Sequence, residues 1–150
     1  MIKLDERIRP VLEEINFIER YRNLSYSYAD YDNKLKHYAN DEVLRVASEL
    51  GYRLSFNGKE NFFKYIQKTD DLALQLNISL KYGSVELILD VVKGGERYQV
   101  GGPFGLIVML MGESERIKYP AFASYDELSE ILKEAFGIYE EIKEALLKLS

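Results

Sequence analysis

The chain has 150 residues, 47% of them hydrophobic and 30% charged, and no cysteine. That size and mix describe one globular domain, residues 1–150, with a core large enough to need no staples, and they exclude disulfide and thiolate chemistry. The net charge of −5 argues against nonspecific nucleic-acid binding, which requires clustered lysine and arginine to neutralise phosphates.

The first residues, MIKLDERIRP, carry charges where a secretory leader needs an apolar stretch. Ile8, Val11, Leu12, Ile15, Ile18 and Tyr21 then recur at helical spacing, which predicts a helix over 4–23. Pro10 lies inside it and suits a first turn. The following stretch, LSYSYADYDNKLKHYAND, is neither helical nor alternating and reads as a loop with at most one helical turn. Asn40 or Asp41 is placed to cap a short helix through Leu50, with Gly51 ending it.

From Tyr52 the period changes to two. Tyr52, Leu54 and Phe56 alternate with polar residues, and Asn57-Gly58 is a hairpin-turn signal leading into ENFFKYIQK. Leu72 to Tyr82 alternate without a break, Gly83-Ser84 suggests a second tight turn, and Val85, Leu87, Leu89 and Val91 return. This pattern predicts an antiparallel meander with one apolar and one polar face. The polar face would carry Gln75, Asn77, Ser79, Lys81, Glu86 and Asp90.

The glycine-rich stretch KGGERYQVGGPFG, 93–105, raises the question of phosphate binding. A phosphate loop needs its glycines between a strand and a helix that points at the anion. Here the next residues are LIVMLM, 106–111, which read as a central strand covered on both faces. The glycines therefore serve a hairpin at 93–96 and a turn or bulge at Gly102-Pro103. LIVMLM is also the longest aliphatic run, far below the roughly 20 residues a bilayer span needs. A soluble, cytoplasmic chain without a membrane contact is expected.

From Ser124 the helical period returns. Leu128, Ile131, Leu132, Ala135, Ile138, Tyr139, Ile142, Leu146 and Leu149 form one stripe, and Ser124 with Glu127 fits a capping box. The fold class expected is α+β: N-terminal helices, a central, mostly antiparallel sheet of about five strands, and a long C-terminal helix packed on it. No helix is expected between Gly51 and Gly112.

Catalytic constellations are scarce. His37 is the only histidine, so a triad or two-histidine metal centre has no second imidazole to draw on. Asp70-Asp71 reads as a turn cap. DYDNK, 30–34, lacks the glycine and the terminal glutamate of a calcium loop. No catalytic residue, cofactor or metal site is expected.

Two surface clusters stand out instead. Tyr26, Tyr28, Tyr31 and Tyr38 lie beside Asp30, Asp32 and Asp41, and tyrosine joins a large apolar area to a polar tip, which suits interfaces as well as the edge of a core. Residues 124–150 hold seven acids against three bases. Among them Glu127, Glu130, Glu134 and Glu141 form a stripe beside the apolar one, with Gly137 in line. It reads either as a solvated face or as a landing strip for a basic partner.

In size, acidity and order of elements the whole chain resembles the small acidic immunity proteins of bacterial contact-dependent inhibition and polymorphic toxin systems. The resemblance implies a noncatalytic chain, monomer or homodimer, that occludes the active site of a basic toxin domain. The alternative is an acidic secretion chaperone that holds an effector protein, a group whose usual pattern sets a helix in the middle of the sheet. A small carboxylate hydrolase or isomerase is the third reading and would need a deep cleft of converging acids.

Overall fold

The computed structural model describes residues 2–149. Its helices are α1 (Arg9–Glu14), α2 (Phe17–Ser27), α3 (Asn40–Glu49), α4 (Phe104–Leu110) and α5 (Tyr125–Leu147). Its strands are β1 (Ser55–Asn57), β2 (Phe62–Thr69), β3 (Leu72–Lys81), β4 (Ser84–Lys93) and β5 (Glu96–Tyr98). The five strands lie in chain order and every neighbouring pair is antiparallel, so the sheet is an uninterrupted meander in an α+β fold.

The expected first helix is two. Asn16 adopts a left-handed conformation, φ 57°, between α1 and α2, one that asparagine tolerates better than most residues. The break lets α1 bury Val11 and Leu12 while α2 buries Phe17, Tyr21 and Leu24. Pro10 sits in the first turn of α1, where its missing N–H costs nothing. α3 is capped by position 39, not by Asn40 or Asp41: Ala39 stands at the N-cap and donates its N–H to the Tyr125 oxygen at 3.0 Å. That bond ties the start of α3 to the start of α5.

One face of the two central strands is apolar from Leu74 to Leu80 and from Val85 to Val91. Leu74, Leu76 and Ile78 of β3 and Val85, Leu87 and Val91 of β4 are buried under the helical layer, where α5 packs on β3 and is flanked by α1, α2 and α3. The Tyr139 hydroxyl crosses this interface and donates to the Leu74 carbonyl at 2.9 Å. Tyr52 stacks on Phe136, with ring centroids 3.8 Å apart and planes 8° from parallel, and Tyr65 meets Phe136 edge-on at 5.6 Å. The capping box at α5 forms with a shift: Ser124 Oγ accepts the Glu127 N–H, but the Glu127 carboxylate reaches back to the N–H of Ala123.

The turns refine the expectation. Asn57-Gly58 does not make a two-residue hairpin; residues 58–61 form the loop, and the Asn57 side-chain oxygen accepts the N–H groups of Lys59 and Glu60. The β3–β4 turn is Tyr82-Gly83, one residue earlier than expected, because Lys81 pairs with Ser84. Gly94-Gly95 links β4 to β5 as expected, both with positive φ.

The clearest departure is LIVMLM. It belongs to α4, and so a helix does lie between Gly51 and Gly112. Gly101 and Gly102, φ 90° and 107°, lead along the edge of β4 into the helix, and Pro103 stands at the N-cap. Phe104, Ile107 and Val108 then face the core at helical spacing while Met109 stays 47% exposed. A central strand would have buried both faces; the run is apolar all round, yet only one side is covered. Beyond β5 the edge of β4 is closed by Gly102-Pro103 and by Pro120 to Phe122, which bond to it in turn.

Candidate functional site

α2 and α5 run side by side and bring together residues far apart in sequence. Arg20, on α2, donates from Nε to Glu134 at 2.9 Å and from its terminal nitrogen to Glu141. The spacing that aligned these two glutamates on α5 thus sets them around one guanidinium. Gly137 lies between them, and a Cβ there would stand 3.4 Å from Arg20 Nη2, at ordinary van der Waals contact. Each such half-exposed pair adds roughly 0.2–1 kcal/mol. Burial works against the Arg20 charge, but bonds to Glu141 and Glu134 hold its pKa above the ordinary guanidinium value.

One turn toward the α5 N-terminus, the Tyr28 hydroxyl donates to the Glu130 carboxylate at 2.5 Å. That bond, and next the burial of the phenol, push the Tyr28 pKa up to about 12. Arg20, Leu24, Tyr28, Glu130 and Glu134 line a groove of about 370 Å³ between the two helices. The Tyr28 carbonyl accepts the Ala121 N–H at 2.7 Å, which holds the chain leaving α2 against the segment that enters α5.

The other predicted residues follow in that exit segment. Asp30 accepts two bonds from the Asn33 amide, at 3.1 and 2.9 Å. Asp32 is exposed on a 3₁₀ turn over Tyr31–Asn33. Tyr31 donates to the Tyr119 carbonyl at 3.2 Å and lies under the Lys118 ammonium, 5.4 Å from its ring centroid. Tyr26 is 70% exposed and opens a second cleft, of about 310 Å³, with Tyr31, Arg22, Arg116 and Lys118. Tyr38 separates from this group and donates to the Leu80 carbonyl of β3 at 2.8 Å, covering the edge of the core. Glu127 is spent on the cap of α5.

The remaining candidates are local. Exposed His37 borders an open depression with Lys36, Asn61 and Tyr82. Asp71 lies in the β2–β3 turn and accepts from Lys93 Nζ at 2.8 Å, which holds its carboxyl below the usual range. On the polar sheet face Lys81 pairs with Glu86, Arg97 with Asp90, and Gln75 bonds Asn77. Among the described residues no group of three or more His, Cys, Asp or Glu side chains converges as a metal site. No helix among them is long and apolar enough to cross a membrane. No family model, curated protein or solved structure matches the chain.

Arg20 is the part of this site that the sequence did not single out. The available signal was an acidic stripe interrupted by a glycine.

The tyrosines give a direct check on these contacts. The Tyr52 pKa also rises to about 12, through burial and then Glu140, and burial pushes Tyr21 and Tyr139 still higher. A raised tyrosine pKa means the fold favours the protonated phenol. The associated stability is complete below the ordinary value of 10.0 and is lost as pH climbs through the folded value. Tyrosinate absorbance from Tyr21, Tyr28, Tyr52 and Tyr139 should therefore appear only above the ordinary tyrosine range, with that of buried Tyr21 and Tyr139 accompanied by loss of helical circular dichroism. Titration of these four rings within the ordinary range would contradict the contacts described.

Proposed function

We propose that the chain is a noncatalytic protein-binding protein of the immunity type, which covers the active site of a basic toxin domain. The observation that carries this reading is the Tyr28–Glu130 hydrogen bond. It links the end of α2 to α5, 102 residues further along the chain, at the groove that Tyr28, Glu130 and Glu134 line, and so brings one member of the tyrosine cluster to the acidic stripe. Tyrosine supplies contact area at small entropic cost, and carboxylates left without a cation steer a basic partner and make its capture salt-dependent.

The charge available to a partner is more localised than the sequence pattern implied. Glu134 and Glu141 share Arg20, and Glu127 serves the cap. The reading therefore centres on Asp30, Asp32 and Glu130, with Tyr26, Tyr28 and Tyr31 as contact area. The secretion-chaperone alternative is less well supported, because α4 follows β5 and the sheet is not interrupted by a helix.

The test compares the immobilised chain with its Asp30→Asn/Asp32→Asn/Glu130→Gln variant in an extract of the native host. The reading expects a basic protein retained by the parent chain and released by salt. Its association with the variant should be slower by about tenfold or more, with a shallower salt dependence. Equal retention with unchanged salt dependence would remove the acidic surface from the interface, and metabolite turnover by the purified chain would overturn the noncatalytic reading.

A further inference from the structure

The sheet is sealed along β4 but not along β2. β1 pairs only with Phe62 to Lys64, so from Tyr65 to Thr69 β2 has no strand on that side among the described residues. Alternate residues of such an edge offer their N–H and C=O groups to an incoming chain. Ile66 is 42% exposed there, flanked on the same face by Lys64 and Lys68. Across the sheet Lys64 has Ser55 and Asn77 as neighbours, and Lys68 has Ala73, so no carboxylate stands opposite either lysine. The lysine ion pairs among the described residues belong to Lys81, Lys93 and Lys143.

This arrangement discriminates between occupants. A second copy cannot pair antiparallel about Ile66, because its Lys68 would need the place opposite Lys64 that Ser55 of β1 already holds. Centred on Lys68, the pair would set that lysine against itself. Centred on Gln67, it would place Lys68 diagonal to both Lys64 and Lys68 of the second copy. Like charges in these positions destabilise strand pairing, whereas opposite charges stabilise it. Exposed lysines on an edge are the usual guard against self-association, and the same two lysines select for carboxylates.

We propose that the Tyr65–Thr69 edge takes an extended acidic segment of another protein as an added strand. Alternate carboxylates of that segment fall opposite Lys68 and beside Lys64, on the face that carries Ile66. The backbone supplies the register through main-chain hydrogen bonds, and the lysines supply the choice of partner. This edge is separate from the acidic α2–α5 surface and calls for the opposite charge.

The test uses two capped peptides, Thr-Glu-Val-Glu-Thr and Thr-Lys-Val-Lys-Thr, titrated at low salt into the isotope-labelled chain. The glutamate peptide should bind about tenfold more tightly than the lysine peptide and slow amide exchange within residues 65–69. A Lys64→Glu/Lys68→Glu variant should reverse the preference, a result that a damaged fold would not produce. Absence of binding by either peptide at millimolar concentration, equal affinity for both, protection elsewhere, or a parent chain already dimerised through this edge would overturn the proposal. No basic partner enters the assay, so its outcome is independent of the acidic-surface reading.

Discussion

Replacing Phe136 by alanine is expected to destabilise the chain by about 3–5 kcal/mol, the usual cost of emptying a fully buried phenyl site. Phe136 is 1% exposed and joins three segments: its own helix α5, Tyr52 after α3, and Tyr65 on β2. The stacked Tyr52 ring could not collapse into the gap without drawing its hydroxyl away from Glu140, to which it donates at 3.2 Å. The cavity would therefore stay largely open, and cost grows with residual cavity volume. Urea unfolding followed by circular dichroism measures this. With a slope of about 1–3 kcal/mol/M for small proteins, the midpoint should fall by more than about 1 M. A loss below about 1 kcal/mol would mean that α5 does not rest on these rings.

The second large effect is expected at Gly83. Its φ is 89°, and a Cβ built on it would lie 2.6 Å from the Lys34 Cβ and 3.0 Å from the Leu35 carbonyl. Alanine there meets both left-handed strain, about 1–2 kcal/mol, and a collision with backbone that has no flexible end to yield. The total expected is about 3 kcal/mol. Gly95→Ala is the control: its φ is 77°, with nothing within 4 Å of the added methyl, so strain alone should show, about 1–2 kcal/mol. The difference between the two variants isolates the close approach. If they lose the same stability, the 34–35 segment does not press on the β3–β4 turn.

Gly83 also bears on the candidate surface. Its carbonyl accepts the Phe122 N–H at 2.9 Å, and the Phe122 carbonyl accepts the Leu35 N–H at 2.8 Å. This three-way junction is the anchor that follows Asp30, Tyr31 and Asp32 along the chain, as the Tyr28–Ala121 bond precedes them. Gly83→Ala should therefore loosen the exit segment, visible as faster amide exchange at Leu35, even under conditions where the variant remains folded.

β3, β4 and α5 were legible because each buries one face, so their periods of two and 3.6 appear directly in the order of apolar residues. Leu72 to Leu80 and Leu128 to Leu146 were read correctly for this reason. LIVMLM had no such period. A run that is apolar at every position fits a covered strand or a one-sided helix equally well, and the two left-handed glycines before it decided for the helix. The split at Asn16 was hidden in the same way, since α1 and α2 each keep an apolar stripe and only the backbone at one asparagine separates them. The Asn57-Gly58 signal failed through its side chain: the Asn57 oxygen captured two N–H groups and widened the turn to residues 58–61.

The candidate site was legible in its parts and not in its assembly. Tyrosines and acids were visible as clusters, yet nothing local to Arg20 announced that it would face Glu134 and Glu141, and nothing local to Tyr28 pointed to Glu130. Local periodicity, turn glycines and the Ser124 cap suffice for the fold class and for most elements, because those choices depend on residues within a few positions of one another. Which acids keep free charge, and which sheet edge is left open, depend on how α2 docks on α5 and on how little of β2 the three-residue β1 covers. Such pairings join residues a hundred positions apart, and only the packed chain brings them within hydrogen-bonding distance.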